Sequence, residues 1–152
     1  MNRRDIGDAA TVLTLLQGPG RAKGLRSLLS GWDMLQADVP VRERMETAWS
    51  ILIGSGLAEV DSGWCLSLTA GGDRIRREVR GRGGMRTVQA ELAGRLAQVD
   101  LATTSLQLPA DVFDRAVLAY LGRAGRAARR PEDDRRLRAW VARLRTHARS
   151  WR

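Results

Sequence analysis

"SGLAEVDSGWCLSLTAGG", residues 55–72, packs a glycine break, a short apolar run, a turn, a second apolar run and a Leu-Thr-x-x-Gly ending into one stretch. Residues 57–60 and 64–68 alternate in side-chain character around Asp61-Ser62-Gly63, which predicts two short strands joined by a hairpin, with Gly63 able to take the left-handed position. Gly56 sits where the chain must leave a helix and turn sharply into a strand, which usually needs positive φ. Leu57 then enters the core as the first strand residue and Leu68 pairs back across the hairpin. Thr69 is placed to cap a helix running through Ile75 and Val79, although Gly71 and Gly72 weaken its start.

Upstream the pattern is helical. Over residues 41–53, Val41, Met45, Ala48, Trp49 and Leu52 share one face, while Arg42, Glu43, Glu46, Thr47 and Ser50 share the other. This helix stops at Gly54-Ser55-Gly56. Residues 21–37 carry Leu25, Leu28, Leu29, Trp32 and Leu35 on one face of a second helix, which Asp38-Val39-Pro40 ends and Gly31 makes less regular. Residues 6–16 alternate small and large apolar groups as a buried first helix, closed by Gly18-Pro19-Gly20.

Downstream, Gly81-Arg82-Gly83-Gly84 is the clearest linker, dividing residues 1–81 from a helical C-terminal region over 85–152. Val88, Leu92, Leu96 and Val99 form an apolar stripe too narrow for full burial inside a monomer, so self-association through the C-terminal helices is expected. Pro109-Ala110-Asp111 starts a further helix with Val112, Phe113, Ala116, Val117, Tyr120 and Leu121 inward. Residues 123–130 read as a solvated connection. Pro131 with Glu132, Asp133 and Asp134 begins a last helix, where the positive end of the helix dipole favours acids, and Leu137, Trp140, Val141, Leu144 and Trp151 form its inner face. Trp32, Trp49 and Trp140 are expected in the core, and Trp64 at the hairpin is open.

Composition narrows the chemistry. The chain of 152 residues fits one domain, or a small one with an appended helical segment, and carries a formal net charge of +9. That charge is uneven: residues 1–69 hold seven basic against eight acidic side chains, and residues 70–152 hold 19 against nine. Arginine supplies 25 of the 26 basic residues, as a GC-rich coding bias alone would also produce. A lone Cys65 and a lone His147 build neither an intramolecular disulfide nor a zinc site. With no phosphate-binding glycine motif and no paired carboxylates, a catalytic role and a cofactor are not expected. The basic start of the chain is broken by Asp5 and Asp8 and lacks a leader's cleavage site, and no run reaches the roughly 18 apolar residues of a membrane span, so a cytoplasmic protein is expected.

Helix, helix, helix, hairpin, helix is the layout of a winged helix-turn-helix, so the expected fold is mainly α with a small β-hairpin, followed by a C-terminal helical segment. The run "VRERMETAWSILIGSGLAEVDSGWCLSLTAGGDRI", residues 41–75, resembles the recognition-helix-to-wing segment of PadR-type and MarR-type transcriptional regulators. In those families a helix ending Leu-x-x-x-Gly-Leu leads through a strand and wing to a Leu-Thr-x-x-Gly-x-x-Ile closure. Here those positions are Leu52, Gly56, Leu57, Leu68, Thr69, Gly72 and Ile75. The likeness covers about residues 39–79 and specifies architecture more strongly than function.

The resemblance implies a DNA-binding regulator in which helix 41–53 enters the major groove of double-stranded DNA, with Arg42, Arg44, Thr47 and Ser50 at base edges or phosphates. Arg21, Lys23 and Arg26, with Arg74, Arg76, Arg77, Arg80, Arg82 and Arg86, would follow the phosphate backbone. Glu43 and Glu46 oppose that role, and the wing tip Asp61-Ser62-Gly63-Trp64 has no positive charge with which to grip phosphate. Two alternatives stay open. One is a winged helix used as a protein-interaction module without sequence-specific DNA binding, with Trp64 reaching into a partner. The other places the basic final helix on an acidic membrane surface or on RNA.

Overall fold

The computed structural model describes residues 1–127 together with Ala139, Trp140 and Ala142. The predicted helix start at Pro131 with its acids, and Leu137, Val141, Leu144, His147 and Trp151, lie outside those residues. The elements run α1 (Arg3–Leu15), β1 (Lys23–Gly24), α2 (Leu25–Gln36), α3 (Arg42–Gly54), β2 (Ala58–Val60), β3 (Cys65–Leu68), α4 (Ala70–Glu78), α5 (Met85–Leu96) and α6 (Ala110–Ala127). The chain is mainly helical with one small antiparallel sheet, as the sequence predicts.

α1 is the centre of the packing. Asn2 and Asp5 close a capping box at its start, with Asn2 Oδ1 accepting the Asp5 amide at 2.8 Å. Every residue from position 8 to position 15 is buried, because α2, α3 and α5 pack on different sides of the same helix. The small Ala9 and Ala10 allow those close approaches. The Gly31 contact shows how tight the α1–α2 crossing is: a Cβ there would stand 2.5 Å from Leu15 Cδ2. Thr11, fully buried, donates to the Gly7 carbonyl at 2.9 Å and accepts from Gln36 Nε2 at 2.7 Å and Gln89 Nε2 at 3.1 Å. One hydroxyl therefore ties α1 to α2 and α5, and no buried polar atom is left unbonded at that crossing.

The sheet has the order β1-β3-β2, with Lys23 opposite Leu66, Gly24 opposite Cys65, and Ala58, Glu59 and Val60 opposite Leu68, Ser67 and Leu66. β1 corrects the expectation of a helix from residue 21. Lys23 and Gly24 are extended against β3, and α2 begins only at Leu25 with no side-chain cap. Gly56 takes φ +69, Leu57 is buried, and Thr69 accepts the Gly72 amide at 3.1 Å as the α4 cap, all as expected. At the hairpin the left-handed residue is Trp64, φ +58, rather than Gly63.

Two expectations about the C-terminal half change. The α5 stripe is covered within the chain: Val88, Leu92 and Leu96 are buried, chiefly against α1, and Val99 alone of the four is exposed. The narrow stripe therefore needs no second copy to bury it. The proposed solvated connection at 123–130 is helical as far as residue 127, since α6 continues to Ala127. α6 packs on α2, and Tyr120 Oη donates to Asp33 Oδ2 at 2.6 Å. Trp32 and Trp49 are fully buried and Trp140 is half-buried against the core.

Candidate nucleic-acid interface

Helix α3 presents its apolar face, Met45, Ala48, Trp49, Ile51 and Leu52, to the core, which leaves Arg42, Glu43, Glu46, Thr47, Ser50 and Gly54 directed outward. Among the described residues this outward face is not open. Residues 97–109, between α5 and α6, run along it as a strap. Ser50 Oγ donates to the Thr104 carbonyl, and the Thr104 amide donates to the Ser50 carbonyl at 3.2 Å. Ser55 Oγ donates to the Ala102 carbonyl at 3.1 Å and accepts the Ala102 amide at 3.0 Å. Arg42 Nη1 donates to the Leu108 carbonyl at 3.0 Å, and Glu46 Oε2 accepts the Leu108 amide at 2.7 Å. Arg42, Glu46, Ser50 and Gly54 fall at intervals of four, so the strap follows one row of the helix.

Gly54 lets the strap come this close. A Cβ at that position would stand 2.6 Å from the Thr103 carbonyl carbon and 2.7 Å from both Ala102 O and Thr104 N. Leu108 is fully buried, and Leu101 and Leu106 pack half-buried on the core, so three leucines pin an otherwise polar, exposed segment. Glu43 and Thr47 remain exposed beside it.

Arg44 is turned away from the outward face. Its Nη2 lies 2.7 Å from Asp8 Oδ1, its Nε donates to Asp8 Oδ2 at 2.9 Å, its Nη1 donates to Asp38 Oδ2 at 2.9 Å, and the guanidinium lies 5.2 Å from the centroid of the Trp32 ring. The hydrogen bond and charge of Asp8, joined by those of Asp38, hold Arg44 more firmly protonated than an ordinary arginine, against the opposing effect of burial. Arg42 also meets Glu43 at 3.3 Å and Glu46 at 3.9 Å. Of the four predicted residues on α3, Thr47 is exposed, Arg42 and Ser50 are held by the strap, and Arg44 is held by Asp8 and Asp38.

The β2–β3 hairpin carries Asp61 for a local reason. Asp61 Oδ1 accepts the amides of Gly63 at 2.8 Å and Cys65 at 2.9 Å, so its carboxylate turns the hairpin. Trp64 is half-buried and its ring packs against the core, which leaves less of it for a partner than the sequence implies.

The remaining basic candidates are arranged differently. Arg74 and Arg77 sit one turn apart on the exposed side of α4, and Arg80, Arg82 and Arg86 follow exposed through the turn into α5. Arg21 is exposed in a turn whose amide bonds the Gly18 carbonyl at 3.2 Å; a Cβ at Gly18 would lie 4.0 Å from Asp73 Oδ1, which brings this turn to α4. Lys23 is half-buried in β1 and Arg26 exposed on the first turn of α2. Arg77 pairs with Asp73 at 2.9 Å, and Arg76 turns inward, its Nη2 donating to the Thr14 carbonyl at 3.5 Å. Among the described residues Arg21, Lys23, Arg26, Arg74, Arg80, Arg82 and Arg86 have no acidic partner. They fall in two stretches, 21–26 and 74–86, which approach each other where Gly18 nears Asp73; this set of cations is the basic ridge, and none of it lies on α3.

Sequence patterns did not point to the strap, to Asp8 and Asp38 as partners of Arg44, or to Gly54 as a contact point. Gly54 was visible only as a helix stop, Asp8 stands 36 positions from Arg44, and Asp38, six positions away, lies in the turn before α3 where no helical spacing links it to Arg44. No group of three or more histidine, cysteine, aspartate or glutamate side chains among the described residues is placed to hold a metal ion, and no helix among them is long and apolar enough to cross a membrane. The chain matches no protein-family model, no curated protein and no solved structure.

Proposed function

We propose that the protein is a non-catalytic, cytoplasmic, winged-helix regulator that binds double-stranded DNA. The single observation that carries this reading is the basic ridge: seven cationic side chains, from Arg21 to Arg86, for which the described residues offer no acidic partner. Unpaired arginines at a surface keep their full attraction for phosphate, and each one that neutralises a phosphate releases a condensed counterion. The ridge supplies affinity without sequence information. Sequence would be read by the outward face of α3, through Arg42, Glu46, Thr47 and Ser50, with Arg44 holding the helix in place rather than touching bases.

Titration of a fluorescent random duplex and of DNA from upstream of the protein's own gene, each at two salt concentrations, tests this. Tighter and less salt-sensitive binding to the upstream duplex supports a sequence-reading regulator. Absence of binding to either duplex at low salt contradicts it.

One observation favours a second reading. The covered α3 and the acidic wing also suit a winged helix used to hold a protein partner, with the exposed part of Trp64 in the contact. Such a module would ignore neutralisation of the ridge and lose its partner on Trp64→Ala.

A further inference from the structure

We infer that residues 97–109 are an inhibitory strap that competes with DNA for the outward face of α3. This inference rests on the DNA-binding reading and adds its regulation. The strap occupies the hydrogen-bonding groups that base edges would need: the Arg42 guanidinium, the Glu46 carboxylate and the Ser50 hydroxyl each bond strap backbone. It also removes the space. An α-helix with its side chains is about 10–12 Å across and fills a major groove about 12 Å wide, and a second extended chain beside it adds roughly 5 Å. α3 and the strap do not enter a groove together.

The strap is built to leave without unfolding the domain. Ala102, Thr103, Thr104, Ser105 and Gln107 are exposed, and the bonds of Ala102 to Ser55 and of Thr104 to Ser50 are polar contacts that water or DNA can replace. Its ends are fixed independently, by α5 on α1 and by α6 on α2, so a released strap remains tethered and returns at high effective concentration. Leu101 and Leu106 are only half-buried, and the fully buried Leu108 lies next to the α6 start, where the chain need not move far. Under these conditions DNA binding through α3 draws on the open fraction alone, and the apparent affinity falls by that fraction.

The test uses the full chain and a pool of random-sequence duplexes. Gly54→Ala places a methyl against the strap backbone while α3 gains a better helix former, so the strap is displaced without weakening the helix. This variant should bind the pool at least about tenfold more tightly than the native chain, as for release of a state open a tenth of the time or less, and should enrich particular sequences from it. The reverse variant, Ser50→Cys with Thr104→Cys in a Cys65→Ser background, cross-links the strap to α3 on oxidation. Oxidised, it should bind only weakly, with strong salt dependence and no enrichment, and reduction should restore its own level of binding and enrichment. Hydrogen exchange on the native chain reads the strap directly: saturating duplex should accelerate exchange at the Thr104 and Leu108 amides, and this readout does not depend on how either variant folds. Equal binding and enrichment in the oxidised and reduced states, or amides that stay protected with duplex bound, would overturn the strap while leaving ridge binding intact. Failure of the native chain, the variant and the reduced protein all to bind duplex would instead remove the DNA reading, and the inference with it.

Discussion

Arg44 and Asp8, 36 positions apart in the chain, form a two-pronged ion pair, Nη2 to Oδ1 at 2.7 Å and Nε to Oδ2 at 2.9 Å, that clamps α3 against α1. The Asp8 side chain is nearly inaccessible, 8% exposed, so little water is at hand to replace this partner. Arg44→Met should therefore destabilise the fold by about 3 kcal/mol, the scale for stranding a buried charge, and adding Asp8→Asn should recover part of the loss. Denaturant melts of the two single variants and the double variant measure this. A loss of DNA sequence preference from Arg44→Met with no loss of stability would instead make Arg44 a reading residue.

Glycines at two helix contacts should respond differently to alanine, against the usual gain in helix propensity. A Cβ at Gly72 would stand 1.9 Å from the Leu57 carbonyl oxygen, an obstacle made of backbone, whereas at Gly31 the obstacle is the end of the Leu15 side chain. Gly72→Ala should cost more than about 3 kcal/mol, or prevent folding, and Gly31→Ala about 1–3 kcal/mol. Equal melting temperatures for the two variants would contradict this packing.

Trp64 holds a left-handed backbone, φ +58, which costs a bulky residue roughly 1–2 kcal/mol and glycine almost nothing. Trp64→Gly should thus be the more stable of two variants that both lose the ring packing, exceeding Trp64→Ala by about 1 kcal/mol. The opposite order in thermal melts would mean that the hairpin turns in another way.

Burial raises the Asp114 carboxyl above the ordinary aspartate range, only partly opposed by the charge of Arg42 and reinforced by that of Asp111. The folded state thus binds this proton more readily than the unfolded chain. The associated stability is complete below the ordinary pKa of about 4 and is lost as pH rises through the higher folded value. Asp114→Asn should be more stable than the native protein at neutral pH, and the advantage should vanish in acid. A variant less stable at pH 7 would show that Arg42 outweighs burial.

The elements visible in the sequence are those whose causes are local. Gly56, Leu57, Leu68 and Thr69 fix the helix-to-strand turn and the α4 cap within a few residues of one another; the structure has Gly56, Leu68 and Thr69 as expected, and Leu57 buried but one residue ahead of β2, which starts at Ala58. β1 is two residues long, too short for alternation to register, and exists because β3 offers an edge to Lys23 and Gly24. The strap has leucines at 101, 106 and 108 with no helical or strand period, and its polar bonds join residues 47 to 66 positions apart. Arg42 and Arg44 look alike as sequence, yet Asp8, Asp38 and Trp32 draw one guanidinium inward while Leu108 takes the other. Charge composition located the basic half of the chain; the Asp73–Arg77 pair follows from i, i+4 spacing within α4, whereas the inward turn of Arg76 onto the Thr14 carbonyl depends on tertiary structure.

The most direct measurement is the salt dependence of duplex affinity for the native chain and for an Arg74→Gln, Arg80→Gln, Arg82→Gln variant. These three side chains are exposed, so the variant should fold normally. If the ridge holds phosphate, the native protein will show a steep linear fall of log affinity with log salt, and the variant's slope will be shallower by about three, roughly one per contact removed. Identical slopes for the two proteins would contradict the ridge as the DNA-binding surface.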